Sequence, residues 1–555
     1  MAIDRRQSAG SNRAPGRLPR SVFAPDWLAF HAERTPDRPA LASPAARLSY
    51  ADLHDRVLRL AAHLATQGVE PGSRVLIALP NMPGTVVAGL AVNWLGATSV
   101  EVNRGWSPDV LAEIVTRSRA RHLLVLAQDR RRWSAILAGR SIAHVWEVHR
   151  GADPGSLEPG RPEPTIGGVP ATTLLEDGRL GPHLDAGEAP RPTNLSPDSP
   201  ALILFTSGST GRPHGVIQTF RNIDANSRSI VEYLGLSARD RAMLTLPLHY
   251  CYGRSVLQTH LLVGGSVFLD HRMAFPRTVL ETMAVEACTN LAGVPLTFEM
   301  IRRQVDLATL DFPRLRFLTQ AGDGMAPDMI AWVRQAFHPA ALYVMYGQTE
   351  ATARLTCLPP AMAVEKAGSI GIAIPGVEVR VVDERGRELP PGEVGELVAR
   401  GQNVTPGYLD EPEETAIILR DGWLWTGDLA ERDADGYLFH RGRAKEILKI
   451  RGHRVSPVEI ERVVALHPDV AEAAVVGAKD DHVGDGLLAV VVPRTGACPP
   501  EADLRRFCVE RLPAYQVPGR FVIVERLPRN ESGKLVRSEL VARYGDMLTP
   551  TLGRR

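Results

Sequence analysis

Apolar runs of strand length alternate with helix-length segments along this chain, and that alternation restricts the fold to parallel α/β sheets. The most apolar stretch, 75–102, shows the pattern most clearly. Pro80, Asn81, Pro83 and Asn93 interrupt it, so it lacks the ~20 clean apolar residues of a membrane span. It predicts a strand at 74–79, a turn, a helix at 84–95 and a strand at 98–102. A helix at 108–117 and a strand at 122–126 continue the series.

A second series opens with a strand at 201–205 and goes on with strands at 266–269, 317–319 and 342–345. Between the two series, 150–199 is rich in Pro, Gly and acidic residues and reads as a surface connection. From 369 to 400 short β segments separated by PG, RG and PPG turns predict a small β-rich subdomain. Beyond Leu438 the character changes again. Ser456-Pro457-Val458-Glu459 reads as a helix start, with a serine cap, proline at the first position and glutamate three after the cap. Strands at 470–476 and 487–492, a helix at 501–511 and a strand at 520–524 then make a small α+β domain.

The 555 residues allow about three or four domains. With 44% hydrophobic and 23% charged residues the chain can bury a sizeable core. A net charge of +1 argues against a nucleic-acid partner, which usually calls for a basic excess. Five scattered cysteines with no CxxC pair argue against a disulfide scaffold or zinc site and fit a reducing, cytoplasmic location. Residues 1–22, rich in Arg, Ser, Gly and Pro with no apolar segment, read as a disordered tail rather than a secretory signal. Only five lysines occur among 64 basic residues: Lys366, Lys445, Lys449, Lys479 and Lys534. A lysine surviving such a bias marks a place for a compact charge on a thin stem, which the arginine fork cannot replace.

Five segments carry chemistry. Thr206-Ser207-Gly208-Ser209-Thr210-Gly211-Arg212-Pro213-His214-Gly215 follows a predicted strand directly. Its glycines let backbone amides approach a ligand, and its hydroxyls can cradle a polyphosphate; it lacks the GK[ST] of a Walker loop. Tyr346-Gly347-Gln348-Thr349-Glu350 lies just past an apolar strand, where α/β sheets bind ligands. Trp425-Thr426-Gly427-Asp428 places a carboxylate on a tight turn, suited to a ribose diol. The basic stretch from Arg441 to Val455 falls at a change of composition, and Pro528-Arg529-Asn530-Glu531-Ser532-Gly533-Lys534 is a turn ending in lysine. Taken singly, each of the last four also suits an ordinary polar turn or linker. Lys445, Lys449 and Lys534 all fall inside the last two.

In this order and spacing, the five segments resemble the adenylate-forming superfamily of acyl-CoA synthetases, peptide-synthetase adenylation domains and beetle luciferases, over residues 24–544. The resemblance implies a large N-terminal domain, 23–443, of two doubly wound α/β subdomains plus a small β-rich subdomain. A hinge at 444–446 and a small mobile α+β C-terminal domain, 447–555, would follow. It implies ATP and Mg²⁺, with a CoA or phosphopantetheine thiol as acyl acceptor. Thr206, Ser207, Gly208, Ser209, Thr210 and Gly211 would close over the β- and γ-phosphates. Tyr346 and Gly347 would flank adenine, with Gly322 and Asp323 on the adenine side. Thr349 would touch the α-phosphate and Glu350 would hold Mg²⁺. Asp428 would bind the ribose, with Arg443 beside it. Lys534 would bridge carboxylate and α-phosphate oxygens, Lys445 would be the hinge, and Gly452 would line a thiol tunnel.

The family's phosphate loop usually ends Pro-Lys-Gly, whereas here it reads Pro213-His214-Gly215. Histidine carries only fractional charge near neutral pH, so a raised KM for ATP or pyrophosphate is expected. The acyl pocket would lie near His249, Tyr250, Tyr252, Gly253 and Gly322, with 347–354 closing it. Relatives that activate α-amino acids carry an aspartate in the first stretch. None occurs here, and a buried ammonium would lack a partner. Tyr250 and Tyr252 are either packing or pocket walls. The expected activity is ligation of a fatty, aryl or similar acid to CoA. The alternatives are loading of a separate acyl carrier protein, and nucleotide or acyl binding with little turnover. Arg451, His453 and Arg454 are candidates for a rim that holds CoA, and equally for a solvated face.

Overall fold

The computed structural model of the protein describes residues 18–150, 165–166, 168–179, 187–207, 212–446, 448–450, 453–480, 484–494, 496–529 and 535–545. The first strand series forms an eight-stranded sheet that also takes in Pro200–Ser207, the strand expected to open the second series, which pairs parallel with Thr98–Glu101; the order is Pro213–Thr219, Pro200–Ser207, Thr98–Glu101, Arg74–Ala78, His122–Leu126, His144–His149, Val169–Leu175 and Thr165–Ile166. The second forms a nine-stranded sheet. Arg241–Leu244 sits between Ser266–Leu269 on one side and Asn290–Gly293, Phe317–Gln320 and Ala341–Tyr346 on the other. In each sheet the chain reverses its direction of winding beside one strand, Arg74–Ala78 or Arg241–Leu244. Ligands bind at the carboxyl ends of strands around such switch points.

Helices Tyr50–Thr66, Pro83–Trp94, Phe220–Leu234 and Cys251–Val263 lie between the sheets in one shared core. Helices Pro276–Val285, Pro295–Gln304 and Pro327–Ala336 cover the outer face of the larger sheet, and Pro108–Ser118 and Arg130–Leu137 that of the smaller. A buried ion pair crosses the central layer: Arg254 Nη2, on helix Cys251–Val263, stands 2.7 Å from Glu101 Oε1, at the end of strand Thr98–Glu101. A third sheet comprises Val377–Val382, Val394–Gly401, Trp423–Arg432, Leu419–Arg420 and Leu438–Arg443. Past it, Leu448–Ile450 pairs with His453–Val455, and Val470–Asp480, Gly484–Pro493 and Arg520–Ile523 form a three-stranded sheet with cores of its own.

Four further expectations are revised. The supposed surface connection contains strand Val169–Leu175, which extends the eight-stranded sheet parallel to His144–His149 and buries Ala171, Leu174 and Leu175. Its two threonines, its internal Pro170 and the glycine before it hid the strand. Residues 18–22 of the supposed tail are anchored: Leu18 packs on the core and the Pro19 carbonyl accepts from Arg228 Nη2 at 2.8 Å. Ser456 does not cap helix Pro457–Val464; its hydroxyl donates to the Arg441 carbonyl at 2.6 Å instead and ties the helix start to strand Leu438–Arg443. Gly253, assigned to the acyl pocket, faces the Leu246 and Pro247 carbonyls at the start of its helix.

Candidate active site

Strand Ala341–Tyr346 ends in a reversal that only glycine allows. A Cβ on Gly347 would lie 2.1 Å from the Ala353 carbonyl oxygen, so the turn at 347–353 folds tightly back on itself. This turn holds Thr349 buried and Glu350 half-buried at the strand's carboxyl end. The Glu350 Oε1 accepts from the Tyr408 hydroxyl at 2.8 Å. Gln348 Nε2 is buried without a hydrogen-bond partner.

Tyr346 donates its hydroxyl to Asp428 Oδ2 at 2.6 Å, and Arg443 Nε stands 3.1 Å from Asp428 Oδ1. His440 Nε2 lies 3.5 Å from the same oxygen. Three motifs, on strands Ala341–Tyr346, Trp423–Arg432 and Leu438–Arg443, thus converge on one carboxylate that is 3% exposed. Burial would raise this carboxyl. His440, the Arg443 charge and the Tyr346 hydroxyl outweigh burial and hold it at about 2. Burial and the neighbouring Asp428 push the Tyr346 hydroxyl well up, so it remains a donor. Oδ1 has ion-pair neighbours at poor angles for hydrogen bonding and no hydrogen-bond donor of its own. A buried carboxylate oxygen left this way is matched to a hydroxyl from a ligand.

The two ends of the phosphate-loop segment lie on paired strands. Strand Pro200–Ser207 pairs with Pro213–Thr219, which sets Thr206 opposite His214. Gly208, Ser209, Thr210 and Gly211, like the Ser207 side chain, lie outside the described residues. His214 Nδ1 is 2.7 Å from Glu411 Oε2, and its ring tilts against Tyr408 with centroids 4.9 Å apart. Arg117 pairs with Glu411 as well and donates to the Pro213 carbonyl. Position 214 therefore touches Tyr408, the residue that holds Glu350.

Around the expected acyl pocket, Gly322 follows strand Phe317–Gln320 with φ +95°, and a Cβ there would lie 2.5 Å from the Tyr250 hydroxyl. Tyr252 is buried and donates to Thr319 Oγ1 at 2.8 Å. Burial pushes its hydroxyl up to about 12. Arg354 stacks over the Tyr252 ring with its guanidinium carbon 4.0 Å from the centroid. Desolvation lowers the His249 imidazole to about 4, which keeps it neutral at pH 7. Asp323 accepts from the Gly324 amide at 2.8 Å and stands 3.8 Å from Arg529 Nη1. A separate surface cleft of about 390 Å³ includes Arg47, Arg272 and Glu286 and shares no residue with this group. Its arginines are already paired, with Glu286 and Asp270.

Lys445 is exposed on the turn Ala444–Glu446. Lys534 and Gly452 lie outside the described residues, as do Arg451 and the Arg454 side chain. His453 is stacked on Tyr515, with ring centroids 4.0 Å apart. The sequence reading missed Tyr408, Glu411, Arg117, His440 and Gln348. Gln348 was legible inside its motif, but the others are single residues whose partners come from distant parts of the chain.

A family model described as "AMP-binding enzyme" matches residues 28–409, and "AMP-binding enzyme C-terminal domain" matches residues 459–534. The chain is 32% identical over 521 residues to a feruloyl-CoA synthase of Amycolatopsis sp., covering 94% of this chain and 98% of that protein. It is 30% identical over 525 residues to a fatty acid–[acyl-carrier-protein] ligase of Streptomyces coeruleorubidus, covering 93% and 95%. The o-succinylbenzoate coenzyme A synthetase of Bacillus subtilis, solved in complex with ATP and magnesium ion, superposes with a TM-score of 0.78 at 27% identity, over 93% of this chain and 98% of that one.

Proposed function

The chain belongs to the AMP-binding enzyme family, and from that premise we propose that it is an ATP-dependent carboxylic acid–thiol ligase. A carboxylate oxygen of a non-α-amino acid attacks the α-phosphorus of ATP, and pyrophosphate leaves with the electrons of the broken P–O bond. A thiol sulfur then attacks the acyl carbon of the acyl-adenylate, and AMP leaves. CoA is the favoured acceptor, by analogy with the feruloyl-CoA synthase. A separate acyl carrier protein is the second reading, motivated by the carrier-protein ligase.

The observation that carries this proposal is the buried cluster of Tyr346, Asp428 and Arg443, with one carboxylate oxygen lacking a hydrogen-bond donor. A ribose hydroxyl would donate to that oxygen. The chemical obstacle is repulsion between two anions, about 4 kcal/mol at 4 Å and an effective dielectric of 20. Thr349 and Lys534 are assigned to the α-phosphate and the attacking carboxylate. Glu350 fits Mg²⁺ as an all-oxygen donor oriented by Tyr408. Among the described residues no three His, Cys, Asp or Glu side chains cluster to hold an ion alone, so the phosphates would complete its coordination. When bound, Mg²⁺ supplies charge neutralisation on the polyphosphate.

The Ala444–Glu446 turn, with Lys445, is assigned as the hinge about which the C-terminal region rotates between the two half-reactions. Among the described residues, the ion pairs between that region and residues before the hinge are long and partly exposed: Arg529–Asp323 at 3.8 Å, Arg494–Asp328 at 3.6 Å and Arg303–Glu472 at 4.0 Å. Such pairs contribute at most ~1 kcal/mol each, so they can break and reform within a catalytic cycle. No helix among the described residues is long and apolar enough to cross a membrane. Carboxylate-dependent ATP–pyrophosphate exchange over short, medium, aryl and amino acids tests the proposal. Exchange with one class of acid supports it. ATP binding without exchange for any acid would favour a binding protein with little turnover.

A further inference from the structure

Two arginines are buried among the described residues, Arg254 at 6% and Arg354 at 3% exposure. Arg254 has Glu101 at 2.7 Å to compensate its charge. Arg354 has no carboxylate within ion-pairing distance among the described residues. Its Nε points at Met345 Sδ at 3.4 Å, its Nη1 reaches the Ala353 carbonyl at 3.5 Å, and its face rests on the Tyr252 ring. The sulfur and the ring are weak acceptors and the carbonyl contact lies at the limit of hydrogen bonding, and removing a guanidinium from water costs several kcal/mol unless an anion or strong acceptors replace the water. A cavity of about 20 Å³ opens at Arg354, with Ser255, Thr259, His260, Asn290 and Thr319 among its walls. That is room for about one small polar group.

We propose that Arg354 is the recognition cation for a second carboxylate on the substrate, so that the acid this enzyme activates is a compact dicarboxylate. This rests on the ligase reading above and deepens it. Thr349, assigned to the α-phosphate, and Arg354 bracket the same tight turn, so one small molecule can present one carboxylate to each. The second carboxylate would supply the missing counter-charge, and the Thr319 hydroxyl, whose oxygen accepts from Tyr252, keeps its own proton to donate to it. A purely apolar acid would leave Arg354 buried and uncompensated, with nothing gained from its charge.

The test is ATP–pyrophosphate exchange with paired acids of equal length, malonate to suberate against propionate to octanoate, and isophthalate against benzoate. Wild type should favour the diacid of at least one pair by roughly ten- to hundredfold in kcat/KM, the scale of a hydrogen bond to a charged group. Arg354→Met keeps the length of the side chain without its charge and should invert that preference by raising the KM for diacids while leaving the KM for ATP unchanged. Wild-type preference for the monoacid in every pair overturns the assignment and leaves the ligase reading intact. An equal loss for both members in Arg354→Met overturns it too. If Arg354→Met does not fold, the wild-type preference alone decides. Absence of exchange with any acid overturns the ligase reading and this inference with it.

Discussion

Asp428→Asn tests the nucleotide site at its best-defined atom. The carboxylate accepts from Tyr346 at 2.6 Å through Oδ2, and its Oδ1 faces Arg443 and His440 without a hydrogen-bond donor. An amide cannot reproduce this. Whichever way it is turned, one of the two acceptor positions becomes an N–H donor, facing either the Tyr346 hydroxyl or the Arg443 cation. A hydrogen bond from a ribose hydroxyl to this carboxylate is worth about 1.5–3 kcal/mol. The variant should therefore lose about 10- to 150-fold in kcat/KM for ATP in the exchange assay, with the KM for the acid nearly unchanged.

Deoxynucleotides separate this role from a merely structural one. Wild type should discriminate against 2′- or 3′-deoxyATP by a similar factor, because the missing hydroxyl leaves Oδ1 again without a donor. In Asp428→Asn the same deoxynucleotide should cost little more than ATP does. Carboxylate and hydroxyl would then show a coupling energy close to either single loss, as contacting groups do in a double-mutant cycle. A full, additive loss in the variant would refute the assignment, since the hydroxyl would then be bound by some other group.

Three further outcomes are expected. Lys534→Ala should lower adenylation by ~10²–10³, the cost of one lost transition-state donor, while thiol transfer from preformed acyl-AMP survives. Adenylation at the wild-type rate would remove Lys534 from the mechanism. Arg254→Met should cost about 3–5 kcal/mol in chemical denaturation by leaving Glu101 buried and unpaired; adding Glu101→Leu should restore most of it, and a single-variant loss under 1 kcal/mol would show the pair to be dispensable. His144 is buried against Trp146 and held at about 4, from 6.5, first by desolvation and then by His63 and His122. A depressed folded value means its contribution is complete above pH 6.5 and declines as pH falls toward 4, by about 3 kcal/mol. His144→Gln should flatten the stability profile across that window, and an unchanged slope there would contradict it.

The strand–helix alternation made several strands of both large sheets readable, because parallel strands covered on both faces need continuous apolar runs, but it put Pro200–Ser207 in the wrong sheet. Strand Val169–Leu175 escaped because its threonines, its internal Pro170 and the glycine before it resemble a loop. In the site, Tyr346 and Asp428 were each visible on a turn, but their contact spans 82 residues and belongs to the fold. Glu411, paired with His214 across 197 residues, carries no local signal at all. Arg254 could have been suspected, since it is the one Lys, Arg, Asp or Glu in the fully buried helix Cys251–Val263 and needs a partner. Lysine scarcity was an uneven guide. Lys366 lies outside every motif and holds a loop together through Asp433 and Asp435 at 2.9 and 2.5 Å.

The phosphate-loop histidine follows from the same kind of accounting. Viewed as a lost charge, His214 weakens a polyphosphate site. Its neighbours alter that view. Arg117, only 14% exposed, pairs with the same Glu411 that receives His214 Nδ1 and also binds the Pro213 carbonyl, so a fixed cation stays at the start of strand Pro213–Thr219. The imidazole contributes something a flexible lysine stem lacks: a ring tilted against Tyr408, whose hydroxyl holds Glu350. On the proposed function, position 214 has exchanged direct charge for control over the carboxylate that meets Mg²⁺. Its influence then falls on nucleotide and metal affinity, and it leaves the choice of acid to Arg354 and the tyrosines.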